Sequence, residues 1–170
     1  MTSPASDQHA LRLFLALWPD SATRQRLQHW QAQQTWPPGA RQTSAPDLHL
    51  TLHFLGQVPE TQLATLVQAL PNQVPPIELE LDTLEVWPNQ IAALVPSHES
   101  AELLALHARL AQALDHLHLP RELRPYRPHV TLARKAQGLI PKPCGAIHWR
   151  ASSYVLALSD RGYHLLQHYG

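Results

Sequence analysis

The chain of 170 residues is short of the features that would mark several protein classes. It holds one cysteine, Cys144, so an internal disulfide framework and a multi-cysteine zinc site are both excluded. It has no excess of charge of either sign. Thirteen Lys and Arg balance thirteen Asp and Glu, which leaves no global field for long nucleic acid or an anionic membrane. No apolar run approaches the roughly 20 residues that span a bilayer. The first ten residues are polar, unlike a signal peptide, and read as a tail; the default expectation is a soluble cytoplasmic protein. Low-complexity segments are absent. Hydrophobic residues still reach 44 %, enough for a packed core in one domain. What is plentiful is proline, 16 residues scattered through loops, and histidine, 12 residues that titrate near neutral pH.

Hydrophobic periodicity sets the expected order of elements. A buried strand over 12–18 is stopped by Pro19. A helix capped by Asp20 or Ser21 runs to about Gln34, and 35–46 reads as a loop. Residues 47–55 alternate, with Leu48, Leu50 and Leu52 on one face and His49, Thr51 and His53 on the other. A helix over 59–70 follows, then strands over 77–84 and 90–95, and a long helix over 97–117 striped by Leu103, Leu106, Leu110 and Leu114. A basic loop over 121–128 leads to a strand at 129–133. A loop over 136–147 and strands over 149–158 and 162–169 complete the chain. Strands and helices do not alternate strictly, which makes α+β the expected class.

One pattern occurs twice: His49-Leu-Thr51-Leu and His129-Val-Thr131-Leu. About 0.1 such matches are expected by chance in a chain of this composition, so a pair is informative. On a strand, residues i and i+2 share a face, so each copy sets one imidazole beside one hydroxyl. Two such strands around one pocket suit a phosphodiester. One histidine serves as general base towards water and the other as general acid towards the leaving alkoxide. Threonine and arginine stabilise the growing oxyanion. The residues alone leave open which histidine does which. Around the second copy, Arg121, Arg124, Arg127, Arg134 and Lys135 face one acid, Glu122, a local positive field that the balanced total hides.

Three segments closely resemble the RNA 2′,3′-cyclic phosphodiesterases of the 2H phosphoesterase superfamily, first described as 2′-5′ RNA ligases. They are Arg12-Leu-Phe-Leu-Ala-Leu-Trp-Pro19, His49-Leu-Thr-Leu-His-Phe-Leu-Gly56 and Tyr126-Arg-Pro-His-Val-Thr-Leu-Ala-Arg134. The resemblance implies one bilobal α+β domain over 1–170, with two antiparallel sheets flanked by helices around a central cleft. It implies hydrolysis of a terminal 2′,3′-cyclic phosphate of RNA to a 2′-phosphomonoester, without metal or ATP, by a monomer, with weak reverse ligation as a companion activity. Carried over by motif, His49 is the proton donor and His129 the acceptor, with Thr51 and Thr131 on the phosphate. Arg134 and Arg127 are expected to bind substrate, and Phe14 to stack on a base. Expected partners are RNA 3′ ends or small nucleotides bearing the cyclic phosphate. Two other readings stand beside this one: a nucleotide-binding module without turnover, and the same chemistry on another small cyclic or 2′-5′ linked nucleotide.

The remaining conspicuous residues have plainer readings. Trp18, Trp30, Trp87 and Trp149 are read as core. His53 is read as a structural or rim residue about 13 Å along the strand from His49 and facing the same way. His116 and His118 are read as surface, Arg121 and Arg124 as solvated charges, and Cys144 as inert.

Overall fold

The computed structural model describes residues 9–170. The tail expected over 1–10 lies outside the described residues except for its last two, and strand β1 already begins at Ala10 (Ala10–Leu17). Helix α1 (Ser21–Gln33) follows, its first turn closed by Asp20, whose carboxylate accepts from the Thr23 N–H at 2.7 Å. Strand β2 (Arg41–Gln42) lies within the segment read as a loop; two residues are too few to carry a periodicity. Strand β3 (Leu50–Pro59) runs past the expected stop at Gly56. Gly56 (φ +67°) takes up a left-handed turn within the strand, where glycine costs nothing. A short 3-10 turn then enters helix α2 (Leu63–Ala69).

Strands β4 (Ile77–Val86) and β5 (Ala92–Pro96) form the expected hairpin. Helix α3 (Ala101–His116) is capped by Ser100, and Leu103, Leu106, Leu110 and Leu114 are buried along one stripe. Each such leucine contributes about 1.5–3 kcal/mol by leaving water. Strand β6 (Val130–Arg134) carries the second motif. The strand expected over 149–158 is two strands, β7 (Ile147–Ala151) and β8 (Tyr154–Ser159), broken at Ser152-Ser153. They belong to opposite ends of the molecule. β7 pairs with β4, whereas β8 pairs with β1 and with β9 (Tyr163–Tyr169).

All pairings are antiparallel, and the sheet order is β7-β4-β5-β6-β3-β1-β8-β9, with β2 on β6. β6, β5, β4 and β7 form one arm; β3, β1, β8 and β9 form the other. In each arm an antiparallel pair is joined through a helix: β1-α1-β3 and β5-α3-β6. The two sheets expected around a cleft are joined into one ladder by a single pair, Leu50 with Val130. No helix among the described residues is long and apolar enough to cross a membrane.

Candidate active site

That one pair of residues brings the two motifs together. Stepping one residue either way from the antiparallel pair Leu50–Val130 sets His49 across from Thr131 and Thr51 across from His129. All four side chains stand on the same face while Leu50 and Val130 fill the core behind them.

Each imidazole is held the same way. His49 Nδ1 donates to the Asp47 carbonyl at 2.6 Å, and His129 Nδ1 donates to the Arg127 carbonyl at 2.8 Å. A carbonyl can only accept, so both neutral rings carry their proton on Nδ1 and leave Nε2 unprotonated. His49 Nε2 lies 3.1 Å from Thr51 Oγ1. Burial, the largest influence, holds both imidazoles below their usual value. The backbone bonds oppose this. The positive charge of Arg134 adds to it at both rings, which puts Arg134 within electrostatic reach of both histidines.

Two tryptophans read as core stand against the histidines instead. The Trp18 indole stacks flat on His49, centroids 5.0 Å apart and planes 4° apart. Trp87 packs at 4.5 Å on His129. Both follow the last residue of a strand and precede a strand-stopping proline, Trp18-Pro19 and Trp87-Pro88. That position places a side chain at the sheet margin and was the available signal. Trp30 and Trp149 are core, as expected.

The other expected residues divide. Arg127 lies over the Trp87 ring at 4.3 Å and pairs with Glu85 at 2.9 Å, and Glu85 also accepts from the Trp87 indole N–H at 2.7 Å. Its guanidinium is engaged with this wall beside His129. Arg134 is exposed and in no ion pair among the described residues. Arg121 pairs with Asp115 and Arg124 with Glu122, away from the cleft. Phe14 is only 3 % exposed. It sits beneath His49, Trp18, Phe54 and Tyr163, so the expectation that it stacks on a base is corrected: its faces are already covered. The exposed aromatic of that cluster is Phe54, at 54 %.

His53 is also corrected. It does not face the way of His49. The β1–β3 register runs Ala16–Thr51 and then Leu15–His53, so β3 carries an extra residue, Leu52. This bulge reverses the alternation. His53 turns into the core at 1 % exposed, and Phe54 turns to the cleft. There His53 Nε2 donates to the His107 carbonyl at 2.8 Å. Its ring stacks on His107, which stacks on Tyr126, both at 3.9 Å. The Tyr126 hydroxyl donates to the Thr51 carbonyl at 2.9 Å, tying the stack to the first motif. β6 has the matching bulge. Ala93 pairs with Thr131 and Ala92 with Ala133, leaving Leu132 extra. Ala133 is thereby buried, and Arg134 swings to the face of Thr131.

Comparison with known proteins fits this geometry. The family described as the 2′-5′ RNA ligase superfamily matches residues 18–144. An RNA 2′,3′-cyclic phosphodiesterase of Escherichia coli K12 is 30 % identical over 140 residues, covering 81 % of this chain and 80 % of that protein. One of Methanocaldococcus jannaschii is 27 % identical over 126 residues, covering 73 % and 71 %. The crystal structure of E. coli LigT complexed with 3′-AMP superposes with a TM-score of 0.85 at 26 % identity, covering 95 % of this chain and 98 % of that one. With the family match spanning most of its length, this chain belongs to the 2′-5′ RNA ligase superfamily.

Proposed function

We propose that the protein hydrolyses the terminal 2′,3′-cyclic phosphate of RNA to a 2′-phosphomonoester. The observation that carries this is the crossed pairing at Leu50–Val130, which gathers two imidazoles and two threonine hydroxyls on one face. Relatives sharing the family are RNA 2′,3′-cyclic phosphodiesterases, and the LigT structure with 3′-AMP supports a nucleotide as ligand.

In this reading the cyclic phosphate sits between the two Nε2 atoms. His129 Nε2 takes a proton from water, the new oxygen–phosphorus bond forms, and the phosphorus–O3′ bond breaks. His49 Nε2 gives its proton to the departing 3′ oxygen. Thr51, Thr131 and Arg134 hold the non-bridging oxygens as charge grows there. Arg127, held by Glu85 and Trp87, acts as a positive wall beside His129. Phe54 and Tyr163 offer the surface for a base, with Phe14 as their support. Both motifs come from one chain, so a monomer acting on cytoplasmic RNA ends suffices.

The test is hydrolysis of a nucleoside 2′,3′-cyclic phosphate in the presence of a chelator, with the product isomer identified. His49→Ala and His129→Ala are each expected to cost about 10²–10⁴ in rate. The double variant should lose much less than the product of the two, because the histidines act in one transfer. Undiminished turnover by His129→Ala, or a 3′-phosphate product, overturns the reading.

A further inference from the structure

Beside the catalytic face the sheet places two like charges in register. β2 pairs with β6 so that Arg41 lies directly across from Arg134. Partners in an antiparallel pair project to the same face, with their Cβ atoms about 4.5–5.5 Å apart, and like charges so placed repel. Among the described residues neither arginine has a carboxylate partner. Both are exposed. Since the bulge at Leu132 turns Arg134 to the cleft, Arg41 faces the cleft with it.

The pair is held firmly. Thr43, next after β2, donates its N–H to the Leu132 carbonyl at 2.8 Å and its hydroxyl to the Thr131 carbonyl at 2.7 Å. The buried Gln31 amide, from α1, donates to the Thr43 and Leu132 carbonyls, each at 2.9 Å. These bonds fix β2, and with it Arg41, against the strand that carries His129 and Thr131. Two arginines held in register on adjacent strands without a carboxylate partner offer an anion site. Arg134 is in electrostatic reach of both histidines. Arg41 stands beside it on the neighbouring strand, and it belongs to neither motif strand.

We propose that Arg41 is a second phosphate subsite, paired with Arg134, which takes the phosphodiester joining the terminal nucleotide to the one before it. The inference rests on the function proposed above and names its substrate class: the end of a single-stranded oligonucleotide in preference to a mononucleotide. Binding of the second phosphate relieves the repulsion across the β2–β6 pair, so the gain is specific to a ligand carrying both charges.

The experiment compares kcat/KM for a nucleoside 2′,3′-cyclic phosphate and for a dinucleotide ending in the same group. The native protein is expected to favour the dinucleotide. Arg41→Gln should lower kcat/KM on the dinucleotide about tenfold more than on the mononucleotide. It should also reduce the log–log salt slope on the dinucleotide by about 0.7, the value for one single-strand phosphate contact. Arg134→Gln should depress both substrates. Equal losses on the two substrates in Arg41→Gln, or no native preference for the dinucleotide, overturn the proposal. Calorimetry with a 2′-phosphorylated dinucleotide and a nucleoside 2′-phosphate gives the same comparison without turnover. If neither cyclic substrate is hydrolysed, the catalytic reading fails while these affinities still decide the role of Arg41.

Discussion

At the residue scale the two histidines share a backbone tether but not a neighbourhood. His49 lies under the flat face of Trp18, with Asp47 before it in the chain. His129 packs against Trp87, and the charge of Arg127, which lies over the same indole, opposes its protonation. Removing that charge favours the imidazolium. Arg127→Gln should therefore raise the pKa of His129 towards the ordinary imidazole value, as read by NMR titration of the ring. Because the base must begin neutral, the acid limb of kcat/KM should move to higher pH in the same variant. His49, buried and held below its usual value, must begin protonated. Its alkaline limb in kcat/KM is expected below the unperturbed pKa of about 6.5. In kcat the same limb should lie higher, because the bound phosphate anion favours the imidazolium. Coincident limbs in a pair of complete pH profiles would contradict this.

At the element scale the site depends on bulges and on what fixes them. Gln31 is 6 % exposed and satisfies the bulge carbonyl of Leu132. Gln31→Leu removes a buried donor from two carbonyls, of which that of Leu132 keeps the Thr43 N–H, and should destabilise the fold by about 1–3 kcal/mol in a denaturant titration. On β3 the bulge sends His53 into a stack with His107 and Tyr126. Burial, with the charges of His53 and Arg121 adding to it, pushes His107 down to about 4. A folded-state value below the unfolded one means that the unfolded chain binds more protons between the two. The stabilisation is complete above about pH 6.5 and is lost as pH falls towards 4. Thermal melts from pH 7.5 to pH 4 should show that loss. His107→Phe, which keeps a stacked ring but no titrating group, should flatten it. Strict alternation, the only rule readable from sequence, would set His53 in the cleft and bury Arg134. One extra residue in each strand reverses both assignments, and no sequence periodicity announces a bulge placed just after Thr51 or Thr131.

At the scale of the whole molecule, two four-stranded arms meet at one backbone pair, and the proposed reaction draws one histidine from each. Neither arm alone carries both His-x-Thr motifs. Charge is balanced overall, so substrate must be drawn by the few arginines at the junction. The log–log salt slope for binding a short RNA end is expected at about −1 to −3. A slope near −8, by fluorescence anisotropy across a salt series, would instead mean that a long strand lies across the protein.

Local pattern was enough to locate the elements that carry the motifs and the residue types that the proposed reaction sets on the phosphate. His-x-Thr on an alternating strand, with leucine or valine between, leaves little freedom about which side chains share a face. It also determined the α+β class, since helical and strand periodicities are local. Only the tertiary structure decided which tryptophans touch histidines, that β7 and β8 belong to different arms, and that Arg41 stands opposite Arg134. These are matters of register between segments distant in the chain. Register follows from the packing of whole faces and from single inserted residues, and neither leaves a repeating trace along the sequence.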